Sequence, residues 1–263
     1  MKQNSSCLIT TLVIGDEMEA LSLFTVPLIK KYAKRFGCDF KVLGESKISQ
    51  DFSPHYEKSQ IYTLLDHYDK VLFIDCDILI TPDAPNLVEL NKEDSILAVS
   101  VEEVFQNVSD EKSSLCSVLG EIEWHKPYFN SGVVLFTAKY KEILNTTDGL
   151  IEIWTNAKIE RNIKGLNDQS IFNYRANKYD IPISYINSAF NFTKAQGNFE
   201  SRFNKHFIHY AGMKGNREKR IYIDKKVLEK NWLYKLLKRN PRITKIFDFI
   251  VLRFPFRSFL NHR

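Results

Sequence analysis

The chain has 263 residues, 44% of them hydrophobic and 26% charged, a globular composition that excludes wholesale disorder. Its formal charge is +5, but residues 225–263 hold 11 Lys/Arg against Glu229 and Asp248, which leaves 26 basic and 30 acidic residues in 1–224. A mildly acidic body with a strongly basic tail excludes a uniformly basic nucleic-acid coat, and the two parts need separate explanations.

Cys7 to Ile14 is short, apolar and β-branched and reads as a buried strand. Gly15-Asp16 punctuates it, and Glu19 to Phe36 follows as an amphipathic helix with Leu23, Val26, Ile29 and Ala33 on one stripe and Gly37 as the stop. Phe40 to Leu43 is a second strand, and His55 to His67 reads as a helix with Ile61, Leu64 and Leu65 inward. Lys70 to Ile74, the most hydrophobic strand, ends on Asp75-Cys76-Asp77, and Ile96 to Val101 is another strand. This alternation predicts βαβ units in an α/β fold with a mostly parallel sheet. Val104 to Lys126 reads as a polar, irregular loop with a short helix. Gly132 to Thr137 is a strand, Ile151 to Ile159 a helix, a further helix begins near Asp168, and Phe207 to Tyr210 is a last strand before Gly212. The reading is one domain over residues 1–220 and a tail over 221–263. Cysteines 7, 38, 76 and 116 lack metal-type spacing and read as reduced thiols. The first residues do not form a signal peptide, and no run reaches the ~18–20 apolar residues of a membrane span. The expected location is cytoplasmic.

Asp75 and Asp77 carry the first chemistry. In an open α/β sheet, ligands bind beyond the carboxyl ends of strands. Two carboxylates separated by one residue project the same way along an extended chain, and they repel unless a cation lies between them. Mg²⁺ or Mn²⁺ suits such oxygen ligands, and a diphosphate would complete the shell. A D-x-D triplet alone reads better as a strand end that caps a turn; after a strand as apolar as Val71 to Ile74 the two readings are even. An aspartyl-phosphate phosphohydrolase also carries D-x-D after an apolar strand, but it needs a further acidic cluster downstream, which this sequence lacks.

Tyr68 to Ile80 (YDKVLFIDCDILI) resembles the D-x-D region of glycosyltransferase family 8. Phe129 to Phe136 (FNSGVVLF), Asn167-Asp168-Gln169, Asn187 to Phe192 (NSAFNF) and His209-Tyr210-Ala211-Gly212 resemble further family landmarks in the family's order. The resemblance covers residues 7–215 and implies a GT-A fold, a nucleotide-sugar-binding Rossmann-like domain. It implies retaining transfer of a hexose, glucose or galactose, from a UDP-sugar to a glycan or glycolipid acceptor. It implies Mn²⁺, with Mg²⁺ as an alternative, held by Asp75, Asp77 and His209. Two carboxylates, an imidazole and two phosphate oxygens nearly fill an octahedron. Lys58 would neutralise the leaving diphosphate. The family's second phosphate lysine falls on Gly215 here, so Lys214, Arg217 or Lys219 would supply that charge. Asn130 and Asp168 would bind sugar hydroxyls, and Gln169 would sit beneath the reacting carbon. Val13 and Gly15 would present backbone to uracil and ribose, and Cys76, Ser131 and Gly212 complete the donor-contacting set. Either Glu102 or Glu103 would meet the acceptor, or both form a solvated turn.

In the tail, Lys225 to Arg239 reads as one helix with Leu228, Trp232, Leu233, Leu236 and Leu237 on a side. Ile243, Ile246, Phe247, Ile250 and Phe254 form a second stripe beyond Pro241. Basic faces beside Trp and Phe suit an interfacial helix on an anionic membrane, and they equally suit a helix packed on the domain. No nucleic-acid-binding motif accompanies them.

Overall fold

The six strands of the sequence reading form as β1 (Cys7–Leu12), β2 (Asp39–Leu43), β3 (Lys70–Ile74), β5 (Ile96–Ser100), β6 (Phe129–Thr137) and β8 (Phe207–His209), and two short strands that it did not include, β4 (Ile78–Ile80) and β7 (Ile183–Tyr185), join them. The helices are α1 (Asp16–Arg35), α2 (Ile48–Asp51), α3 (Ile61–Leu64), α4 (Leu87–Leu90), α5 (Val108–Leu119), α6 (Leu150–Glu160), α7 (Asp168–Lys178), α8 (Arg217–Glu229), α9 (Asn231–Arg239) and α10 (Pro241–Val251). The structure is a computed structural model that describes residues 7–46, 48–91, 93–213 and 216–256. Six strands make one sheet in the order β2-β1-β3-β6-β5-β7, and β4 pairs with β8 in a two-stranded sheet. All strands of the large sheet run one way except β6, which is antiparallel to β3 and β5.

The period-two alternation of the strands gives the sheet two apolar faces. Ile9, Leu72 and Ile74 point to one face and pack under Ile29, Tyr32 and Ala33 of α1. Leu8, Val71 and Phe73 point to the other, against Ile61 of α3 and Phe172 and Ala176 of α7. α5, α6 and α7 share a cluster of their own around Leu115, Trp154 and Ile171. α8 and α9 close a further cluster with Leu21 and Phe24 of α1.

Several elements differ from the sequence reading, each for a physical reason. The stripe of α1 is wider and rotated, because the helix is gripped by both the sheet and α8. Leu21, Phe24 and Thr25 are buried, and Leu23 is 58% exposed. His55 to His67 is not one α-helix: Pro54–Gln60 forms a tight 3-10 turn that buries Tyr56, Glu57, Lys58 and Ser59 in succession, and α3 is a single turn. A 3-10 turn spaces consecutive side chains about 120° apart, so their burial comes from partners on several sides: Tyr56 joins the cluster around Leu115 and Trp154, Glu57 meets Ser46 and Gln60, and Lys58 meets Asp75 and Asp168. The stretch after Glu102 holds a regular helix, α5, whose inner positions Val108, Glu111 and Leu115 include an acid that hid its periodicity. In the tail, Lys230 adopts an extended conformation and divides the expected single helix into α8 and α9. α8 runs through residue 220 and packs its Ile221 and Val227 onto the body.

Candidate active site

The strand register brings the three candidate ligands together. β3 ends at Ile74, opposite Val133 of β6, so Asp75 lies beside Gly132 and its N–H donates to the Gly132 carbonyl at 2.7 Å. The chain turns at Cys76-Asp77 into β4, where Ile78 pairs with His209 of β8. Asp75, Asp77 and His209 each offer a ligand atom within 4.8 Å of the others. His209 Nε2 lies 3.1 Å from Asp77 and 3.8 Å from Asp75. Cys76, between the acids, turns its thiol the other way, toward the Thr25 hydroxyl and the Met18 carbonyl of α1.

Gly132 makes this convergence possible. A Cβ there would stand 2.5 Å from His209 Cε1, 2.7 Å from Asp75 Oδ2 and 2.9 Å from Asn130 Oδ1. Only a residue without a side chain lets the imidazole and the carboxylate share this space.

Cations balance the acids. Buried Lys58 lies 3.2 Å from Asp75 and 2.9 Å from Asp168, donates to the Ser131 carbonyl and hydroxyl, and stands over the Phe73 ring. Burial lowers the Lys58 ammonium, but Asp168 and Asp75 outweigh it and hold its pKa above the ordinary lysine value. Burial works against the Asp168 carboxylate too, yet Lys58 and His55 hold its pKa below the usual range. Burial likewise disfavours ionised Asp77, but His209 and Arg217 hold its pKa at about 2. His209 is pushed down by burial and up more strongly by Asp77 and Asp75.

Two carboxylates and one imidazole, gathered at a glycine, are the donor set of a hard-to-borderline divalent cation, and these residues fit one. They stand in a cleft of about 560 Å³, a size suited to a small-molecule ligand. Lys58, Cys76, Asn130, Ser131, Asp168, Gln169 and Gly212 from the sequence reading also face it. Val13 and Gly15 do not line it; their neighbours Leu12, Ile14, Glu17 and Met18 provide that wall. Lys214 lies outside the described residues. Of the other two basic candidates, Arg217 faces the cleft and pairs with Asp77 at 3.0 Å and with Glu17 at 2.5 Å. Lys219 instead donates to the Leu252 and Phe254 carbonyls. Glu102 accepts from the Tyr128 N–H at 2.6 Å and pairs with Lys112, so it supports the loop before β6.

A model of glycosyl transferase family 8 matches residues 40–215. The chain belongs to glycosyl transferase family 8. It is a glycosyltransferase, and its fold is of the GT-A type. Among solved structures, the galactosyltransferase LgtC in complex with donor and acceptor sugar analogues aligns with a TM-score of 0.56 at 17% identity, over 86% of this chain and 98% of that one. A glycosyltransferase involved in glycosylation of the major capsid of PBCV-1 aligns with a TM-score of 0.54 at 15% identity, over 82% of this chain and 98% of that one. At these identities the likeness is one of fold. No curated protein matches the chain.

Two residues at the site of this family 8 chain, one in the cleft and one buried behind it, carried no assigned part in its motifs. His55 lines the cleft one 3-10 turn before Lys58, and its charge bears on Asp168. Nothing in a histidine after Ser-Pro marks it from sequence. Asn191 lies within the NSAFNF segment and is fully buried beside His209.

Proposed function

We propose that the chain is a metal-dependent, retaining hexosyltransferase that uses a UDP-sugar donor and a glycan acceptor, with a lipid-linked surface glycan as the acceptor class. The observation that carries this reading is the gathering of Asp75, Asp77 and His209 in the same cleft as Lys58, Asp168 and Gln169. Asp75, Asp77 and His209 would hold Mn²⁺ or Mg²⁺. A divalent ion there supplies Lewis-acid stabilisation for the charge on a leaving diphosphate.

The chain's own groups do the rest. Lys58 and Arg217 bring positive charge from two sides, and Arg217 replaces the lysine this family keeps after the histidine motif. Both cations are already anchored, Lys58 by Asp168 and Arg217 by Glu17, so little reorganisation accompanies donor binding. Ionised Asp168 accepts sugar hydroxyls. Gln169 Oε1 already accepts from Asn130 Nδ2 at 3.0 Å and from the Ser131 N–H at 3.2 Å. An amide oxygen so committed is a poor nucleophile. The arrangement therefore favours front-face displacement through an oxocarbenium-like ion pair, in which a departing phosphate oxygen takes the acceptor's proton.

For the acceptor, α9, α10 and the residues just after it leave Trp232, Ile246, Phe249, Ile250 and Phe254 exposed, and Lys235, Arg242 and Lys245 are exposed on the same two helices. An apolar face rimmed by basic residues suits peripheral attachment to an anionic leaflet, where lipid-linked acceptors reside. Among the described residues, no helix is long and apolar enough to cross a membrane.

A thermal-shift panel of UDP-, GDP- and CMP-sugars with and without Mn²⁺ tests the reading. UDP-hexose should stabilise the chain only with metal, and Asp77→Ala should abolish both this shift and donor hydrolysis. Metal-independent hydrolysis undiminished in Asp77→Ala would overturn it.

A further inference from the structure

Four side chains connect the sugar end of the cleft to its metal end, and two backbone N–H groups dictate the polarity of all four. The Ser131 N–H can only donate, so the Gln169 atom facing it at 3.2 Å is the amide oxygen. The Gly132 N–H can only donate, so the Asn130 atom facing it at 2.9 Å is Oδ1. Asn130 therefore presents Nδ2 to Gln169 Oε1 at 3.0 Å. Asn130 Oδ1 also faces an Asn191 side-chain atom at 2.7 Å, and that atom must be the donor Nδ2. Asn191 is left with Oδ1 toward His209 Nδ1 at 2.7 Å. An acceptor there requires hydrogen on Nδ1. The lone pair of the neutral ring is then on Nε2, the nitrogen that faces Asp75 and Asp77.

We propose that Asn191 is a positioning residue that sets the tautomer and ring plane of His209 for a divalent cation, and that ties this setting to Asn130 and Gln169 on the sugar side. The inference rests on the metal assignment made above. The side chain is suited to the task because it cannot relax. Asn191 is fully buried. The 3-10 turn Ser188–Phe190 precedes it, and the chain beyond it is fixed by Phe192, whose N–H donates to Phe207 and whose carbonyl accepts from the His209 N–H at 2.9 Å. Backbone and side chain of the same segment thus hold the histidine from two directions. Outer partners of this kind fix ligand orientation and basicity, and their loss costs about 10- to 100-fold in metal affinity.

Two substitutions separate the ends of the relay. Asn191→Leu keeps the branched heavy-atom outline and removes both hydrogen bonds. Asn191→Asp keeps an acceptor for Nδ1–H but turns a second oxygen toward Asn130 Oδ1. Mn²⁺ titrations of the full chain, followed by the electron paramagnetic resonance of the free ion, should show about 10- to 100-fold weaker binding in Asn191→Leu. Asn191→Asp should stay within about threefold of wild type, while UDP-hexose stabilises it less. Long-range ¹⁵N correlation spectra of the Mg²⁺-loaded wild type should place the His209 ring proton on Nδ1. Unchanged Mn²⁺ affinity in Asn191→Leu, equal losses in both variants, or a ring proton on Nε2 overturns the relay while leaving the metal assignment standing. A wild-type chain that takes up no Mn²⁺ overturns both. If Asn191→Leu does not fold, the aspartate variant and the spectra of the wild type still decide.

Discussion

At the residue scale, the site depends on one missing methyl group and one ion pair. Gly132→Ala inserts a Cβ at 2.5 Å from the His209 ring and 2.7 Å from Asp75. Both atoms are the working ends of the candidate metal ligands, so making room for the methyl group moves them out of their mutual arrangement. The expected outcome is a folded protein whose Mn²⁺ affinity and donor hydrolysis fall at least about tenfold, in line with a displaced metal ligand; titration and a hydrolysis assay check this. The ion pair of Asp168 and Lys58 has a pH signature. The Asp168 carboxyl is held below its unfolded value of about 3.9, so its stabilisation is fully present above that pH and is lost as pH falls through the lowered folded value. Asp168→Asn lacks this contribution. The gap in melting temperature between wild type and Asp168→Asn should therefore narrow as metal-free samples are taken from about pH 5 to pH 2.

At the scale of elements, α7 delivers Asp168 and Gln169 to the cleft, and α5 holds α7 in place. Glu111 of α5 accepts from the Leu166 N–H at 3.0 Å and from the Ser170 hydroxyl, on either side of the Asp168-Gln169 pair. Glu111→Leu should cost about 1–3 kcal/mol, the penalty for one buried donor left unpaired, since the Ser170 hydroxyl is buried while Leu166 is half-buried. It should also weaken donor binding, although Glu111 lies behind the cleft; denaturant unfolding and a donor titration read the two effects separately. This dependence also shows what the sequence could reveal. Six of the strands, the D-x-D turn and the helix start at Asp168 were legible because apolar periodicity and punctuation are local signals; β4 and β7, three residues each, are too short to show a period. Of α5 only a short helix without bounds was legible, because its inner face carries Glu111, and the partners that make a buried acid acceptable come from residues 166 and 170. Lys58 was legible as a cation but not as a buried one, since its burial arises from a 3-10 turn that hydrophobic periodicity does not encode. Asn191 and Arg217 owe their places to β8 and α8, which return to the cleft only in the folded chain.

At the scale of the whole molecule, the C-terminal helices have two faces with separable roles. The inner face is tied to the body. Arg202, fully buried, pairs with Asp224 of α8 at 2.6 Å and with Asp248 of α10 at 2.7 Å. Tyr234 of α9 donates to Asp83 at 2.5 Å. Removing one partner of such a buried set leaves uncompensated charge, so Arg202→Met should destabilise the chain by about 3–5 kcal/mol. Truncation before α10 would break the same set and confound any test of attachment with loss of fold. The outer face permits a cleaner test. Arg242 and Lys245 are exposed, as are Ile246 and Phe249, and none of these side chains joins a core cluster. Charge near an anionic leaflet contributes about 1 kcal/mol per basic residue, or about fivefold in partitioning. Arg242→Gln with Lys245→Gln should therefore weaken sedimentation with phosphatidylglycerol vesicles by about 25-fold at low salt. Ile246→Ser with Phe249→Ser should weaken it further in both anionic and neutral vesicles. Melting temperature and soluble-donor hydrolysis should stay at wild-type values in both pairs. Vesicle binding that survives all four substitutions would exclude this face of α10 as the attachment surface.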